Sequence, residues 1–264
     1  MLSYIFEWAT PFVLTLGLPV FRRRIRMHSQ SQGDAVLRVR AALEDDFHHF
    51  RVELQCAGNR IVAISAQAPR HPYSLCPSAA LPLQQLVGTA LTSQAHALSR
   101  AIDPSQQCTH LLDLAGLACA LAARGPSRRV YDIAVPMRVG GRTQARLSRD
   151  GTPLLVWEVQ DLALIGPMPY AGVDLRVGMA RWAWANLSDD EAEAALVLRR
   201  CTTISLGKGK PLDEQVHAQA TGRCFVQQPE RAPLALRQVG STWDFTNDEP
   251  ALCTDDEAWL AFAA

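Results

Sequence analysis

Three runs early in the chain alternate between apolar and polar residues, and this period of two constrains the fold most. Val36 to Leu43 (V-L-R-V-R-A-A-L), Phe50 to Cys56 (F-R-V-E-L-Q-C) and Ile61 to Ala66 (I-V-A-I-S-A) each read as a strand with one buried face. Ala57-Gly58-Asn59-Arg60 between the last two is a turn, so they form a hairpin. Phe21 to Met27 (F-R-R-R-I-R-M) reads as a first edge strand. On it, Arg22 to Arg24 are a solvated face, or cations for an anionic substrate. A sheet with one apolar face has to bury it, and helices downstream can cover it.

Pro69-Arg70-His71-Pro72 breaks the strand pattern into a loop carrying Tyr73 and Cys76. Pro77 suits the first position of a helix, which places Cys76 at the N-cap of a short helix over Ala79 to Val87. Asp103-Pro104 repeats that pattern before a second helix, Ser105 to Ala123. The second half follows the same order. Strands are expected over Tyr131 to Met137, Thr143 to Leu147 and Leu154 to Val159, with Asp150-Gly151 as a hairpin turn. After the apolar run Val173 to Ala185, Ser188-Asp189-Asp190-Glu191 is a capping box for a helix ending near Arg200. Arg223 to Gln227 reads as a last strand, and the acidic tail wraps around the body.

Leu198 to Ser205 (L-R-R-C-T-T-I-S) echoes Ser105 to Leu112 (S-Q-Q-C-T-H-L-L), which points to an internal duplication. The expected architecture is therefore α+β. Two related β-meander-plus-helices units, 1–126 and 127–264, would make up the chain, with only the first keeping potential ligands. A pocket between the halves is the natural place for a ligand.

With 264 residues the chain can bury a large core or two small ones. The 26 basic and 26 acidic residues cancel, so no global basic field draws the protein to nucleic acid. Seven cysteines, an odd number, fit a reduced, cytoplasmic chain whose thiols are fillers, ligands or nucleophiles. The apolar run Trp8 to Val20 is too short for a spanning helix and carries Pro11 and Pro19, which predicts packing on the domain. Glycine-rich phosphate and dinucleotide fingerprints are missing.

The chemistry-bearing residues gather between Asp45 and His110. Cys76, Cys108 and His110 are soft or borderline ligands from separate elements, with His49, His48 or Asp46 as a fourth. Zinc or iron is the metal class they would hold. At a helix N-terminus Cys76 can instead be a thiolate nucleophile or persulfide carrier. A histidine of the His48-His49 pair can serve as general base, oriented by Asp45 or Asp46. Strand alternation sends one of the two inward, and His49 is the one assigned to the site. Each residue has a plainer reading: Cys108 as a small core residue in an Ala/Leu-rich helix, His110 as a cap or core hydrogen-bonder.

R-R-R-I-R, D-D-F-H-H-F, R-H-P-Y-S-L-C-P-S-A, Q-C-T-H-L-L-D-L-A and V-G-S-T-W-D-F together resemble the bacterial domain of unknown function 2889. That resemblance implies a bacterial setting near aromatic or acyl-CoA catabolism and supplies no activity. A weaker architectural likeness is to iron–sulfur scaffold proteins of the IscU type. It implies that Cys76, Cys108 and His110 match metal-holding positions, with Asp46 or His49 replacing a scaffold cysteine. The histidine–cysteine order is reversed here.

The expectation is a bacterial catabolic enzyme of the lyase, hydratase or isomerase type. It would act on a small organic or aromatic acid derivative at His49, Cys76, Cys108 and His110. The alternative is a non-catalytic zinc- or iron–sulfur-binding module in metal or sulfur trafficking. The expected partner is a small-molecule substrate, not nucleic acid or a membrane, with self-association left open.

Overall fold

The computed structural model describes residues 17–33, 36–125 and 127–262. Most of the Trp8 to Val20 run therefore lies outside the described residues. Eight strands form one antiparallel sheet: β1 (Val20–Gln32), β2 (Val36–Asp45), β3 (His49–Ala57), β4 (Arg60–Arg70), β5 (Arg128–Pro136), β6 (Arg142–Arg149), β7 (Thr152–Gln160) and β8 (Ala163–Gly166). Their order is β4-β3-β2-β1-β5-β6-β7-β8, two consecutive meanders joined where β1 pairs with β5. A 16-residue helix follows each meander, α1 (Thr109–Arg124) after the first and α3 (Asp189–Ile204) after the second. α2 (Met179–Asn186) precedes α3, and α4 (Glu257–Leu260) ends the described chain. The fold is α+β. The sheet and one hydrophobic cluster, with Leu54, Leu117, Tyr131, Trp157 and Leu198 among its members, run unbroken across the expected boundary at 126. Among the described residues no helix is long and apolar enough to cross a membrane.

What repeats is the order of elements, and the paired Cys-Thr motifs are not equivalent within it. Cys108 is the N-cap of α1, whereas Cys201 lies in the last turn of α3. Ser188, whose hydroxyl completes the expected capping box with Glu191, holds the place in the second half that Cys108 holds in the first. The two motifs nonetheless meet, because the helices lie antiparallel. Asp113 near the start of α1 pairs with Arg200 near the end of α3, and Arg124 pairs with Glu193 at the opposite ends.

Three local expectations are corrected. The stretch expected as one helix over Ala79 to Val87 is two 3-10 turns, Cys76–Ala80 and Pro82–Leu86, since Pro82 cannot donate to a continuing helix. The second helix begins at Thr109, after a separate 3-10 turn, Pro104–Gln106, capped by Asp103. The strand expected over Arg223 to Gln227 is only a 3-10 turn, Phe225–Gln227. A further 3-10 segment, Ala95–Arg100, crosses α1 at Gly116, where a Cβ would lie 2.0 Å from the Ala95 carbonyl oxygen. Only glycine permits that approach.

Alternation assigns the two faces of the sheet. On β1, Phe21, Arg23, Ile25 and Met27 point toward the helices, and Arg22, Arg24 and Arg26 point away. The outward arginines are not a solvated face. Arg22 and Arg24 both reach Glu249, and Arg26 reaches Glu257, as the C-terminal segment wraps across this side. Ala42, Cys253 and Leu260 form a small second core there.

Candidate functional site

β2 ends at Asp45 and β3 starts at His49, so Asp46-Phe47-His48 must reverse the chain in three residues. Asp45 makes the turn. Its Oδ1 accepts from the backbone N–H of Phe47 at 2.7 Å and of His48 at 2.8 Å. This places the His48 ring on the helix side, stacked on Phe50. The next residue, His49, pairs in register with Glu44 and points to the opposite face. Two adjacent histidines thus join different environments.

On the helix side, Arg23 donates through Nε to Asp45 Oδ2 at 2.8 Å, with a second contact from its terminal nitrogen. Both residues are buried, 2% and 0% exposed. Asp45 Oδ1 lies 3.1 Å from His48 Nδ1. Burial alone would raise the Asp45 pKa, but Arg23 and His48 outweigh it and hold the carboxyl well below the usual carboxylate range. His110, in the first turn of α1, stacks on His48 with ring centroids 4.0 Å apart. Its Nε2 is buried without a hydrogen-bond partner among the described residues. Burial, then the neighbouring His48 and Arg23, hold His110 well below the ordinary imidazole range, and burial also lowers His48 against the pull of Asp45. At neutral pH both rings are uncharged.

These rings open on a cavity of about 300 Å³ lined also by Cys76, Cys108, Arg200 and Arg223. Of the expected site residues, the structure brings Cys76, Cys108 and His110 to this cavity. His49 it places elsewhere, with Nε2 3.0 Å from both oxygens of Asp256 and Nδ1 3.8 Å from Glu44. Asp46 is held by Lys208 at 2.7 Å. The expectation of a thiolate at Cys76 is also corrected. Cys76 heads only a five-residue 3-10 turn, and burial pushes its thiol well above the usual range. Cys108 is pushed up to about 12 by the same cause. Burial costs the thiolate more than one helix end returns.

A metal set of Cys76, Cys108, His110 and His49 does not converge, because the sheet separates His49 from the rest. Among the described residues, Asp45, His48 and His110 offer ligand atoms that all lie within 4.8 Å of one another. Asp45 is a poor ligand in that geometry. Five donors already address its two oxygens, more than its roughly four lone-pair positions, and one of them is a buried guanidinium.

Sequence reasoning gave Arg23 another role, as a solvated or anion-binding residue, and missed Arg200, Arg223 and Cys224 as members of this site. Arg23 did carry a signal, since it occupies an inward register position between Phe21 and Ile25. Arg200, Arg223 and Cys224 carried none, because their place depends on how the second half packs over α1.

No curated protein matches the chain. A family described as "Protein of unknown function (DUF2889)" matches residues 21–124, from β1 to the end of α1. This match gives no support to the likeness to IscU-type scaffolds. The matched segment supplies Arg23, Asp45, His48, Cys76, Cys108 and His110, and the facing wall of the cavity, from Arg200 to Gln227, lies beyond it. Over residues 21–124 the chain is similar to the DUF2889 family of proteins of unknown function.

Proposed function

We propose that the protein is an enzyme of the lyase, hydratase or isomerase type, moving a proton on a small organic or aromatic acid bound in the 300 Å³ cavity. The observation that carries this reading is His48 at the cavity wall, held by Asp45 behind it, which Arg23 anchors in turn. Asp45 accepts from Nδ1–H, which leaves Nε2 as the basic nitrogen of His48. That nitrogen takes a proton from the substrate, and Asp45 stabilises the imidazolium that forms. Two rings 4.0 Å apart cannot both become charged, so His48 and His110 act as a unit that holds one proton and gives it back.

The charged groups lining the cavity are Arg200 and Arg223, and no carboxylate lines it among the described residues. Arg223 is exposed and has no ion pair there. With Arg200 paired to Asp113, Arg223 is the cation left for a ligand, and an anionic substrate fits it. The neutral thiols of Cys76, Cys108 and Cys224 supply soft lining. All seven cysteines are free, which suits a cytoplasmic setting.

The test is proton exchange. A panel of small carboxylic acids is incubated with the protein in deuterium oxide, and loss of C–H signal is followed by NMR. Exchange by the wild type that disappears in His48→Ala supports the reading. Equal exchange in both proteins, or none with any acid while the His48 ring signals ignore every panel member, refutes it.

A second reading, metal binding, is favoured by the clustering of Asp45, His48 and His110. It requires Asp45 to release donors it now holds. Stoichiometric zinc or iron in purified protein, lost in His48→Ala and His110→Ala, is the result that supports it.

A further inference from the structure

A second cavity, of about 160 Å³, lies among α1, α2, α3 and the 3-10 segment Ala95–Arg100. It backs onto the first, since Thr109 and Arg200 line both. Most of its wall is apolar: Ala95, Leu112, Ala180, Trp184 and Leu196. Of its polar side chains, those of Ser99, Asp113, Arg199 and Arg200 are hydrogen-bonded, and those of Thr109 and His96 are not, among the described residues. The Ser99 hydroxyl donates to the His96 carbonyl at 2.8 Å. Asp113 holds Arg200 at 2.7 Å, and the Arg199 Nε donates to the Leu175 carbonyl at 2.6 Å. The His96 ring makes no hydrogen bond among the described residues and faces this space. Burial lowers its pKa, so the ring is neutral and offers one donor and one acceptor. The Arg100 guanidinium lies 3.8 Å from the Trp184 ring centroid and braces that indole as a wall.

An apolar cavity of roughly 150 Å³ accommodates a benzene-sized molecule. We infer that the second cavity is a binding site for a phenol-sized aromatic molecule, its ring against Trp184 and Leu196 and its hydroxyl hydrogen-bonded to His96. Size selects one ring, and the uncommitted His96 imidazole selects a polar substituent, with the Thr109 hydroxyl also on the wall. This site stands independently of the proton-transfer reading, because no residue of the Asp45–His48 pair takes part.

The experiment titrates phenol, and separately toluene, into the full chain and follows amide shifts by NMR. Wild type is expected to saturate with both, with phenol binding on the order of 1 mM. Ala180→Phe fills the cavity and should abolish both. His96→Leu should weaken phenol about five-fold, the value of one neutral hydrogen bond, and leave toluene unchanged. Failure of wild type to saturate overturns the inference, and so does phenol binding in Ala180→Phe equal to wild type. Should Ala180→Phe fail to fold, an unaltered preference between phenol and toluene in His96→Leu overturns it equally.

Discussion

The two faces of the first meander carry nearly the same residue types and put them to different use. On the helix side stand Arg23, Asp45 and His48; on the other stand Arg51, Arg70, Glu44, Asp256 and His49. On the second face the carboxylates are satisfied by neighbouring cations and backbone, with the Arg70 Nε left without a partner among the described residues. Asp256 takes both His49 and Arg51, and Glu44 takes Arg70 and the backbone N–H of Cys253. The C-terminal segment closes over them, which makes this face a clasp. On the helix side Asp45 is equally saturated, but the imidazoles it leads to are not, and they border a cavity. A buried network that closes on itself stabilises structure, whereas one left with an unpaired nitrogen beside open space is available to a ligand.

The largest effect expected from testing this contrast is in Arg23→Leu. It leaves the Asp45 charge buried and unpaired, and should cost about 3–5 kcal/mol in urea denaturation. A loss near zero would mean the helix-side network is not closed behind Asp45 as described.

The adjacent histidines give the sharpest comparison. His48→Ala should lower proton-transfer activity by about 10²–10⁴-fold while changing stability little. His49→Ala should do the reverse, costing about 1–3 kcal/mol of stability by leaving Asp256 short of a partner, with activity kept. Equal effects of the two on activity would erase the distinction between the faces.

Protonation tests both faces together. Asp45 and Asp256 have folded pKa values below the unfolded value of about 3.9. Their stabilisation is therefore complete above roughly pH 4 and is lost as pH falls below it. The activity of His48, whose pKa is lowered, should by contrast persist below the ordinary imidazole range near 6.5. A rate that falls with a midpoint at or above 6.5 would show that His48 is not the buried neutral base. The smallest effect belongs to Arg22→Ala. It removes a partly exposed pair with Glu249 and should cost at most about 1 kcal/mol by thermal unfolding.

Much of the first half was legible because its signals are local. The strand pattern located β2, β3 and β4 to within a few residues and the Ser188 capping box located α3, whereas Phe21 to Met27, expected as an edge strand, lies inside the sheet between β2 and β5. The Cys76-to-His110 stretch does reach the cavity. The choice of His49 over His48 failed for a physical reason. Alternation says that neighbours point apart, but the turn made by Asp45 decides which of them faces the helices. The Cys-Thr echo misled in the same way, since similar letters fell at opposite ends of two antiparallel helices.

By itself the sequence determined an α+β chain of two meanders with a helix after each, since periodicity, caps and turns act over a few residues. Only the tertiary structure decided which side of the sheet each polar group serves. It paired Arg23 with Asp45, brought His110 onto His48 and set Arg200 between two cavities. Those contacts join residues 22 to about 150 positions apart, and their energies depend on burial that no local pattern specifies.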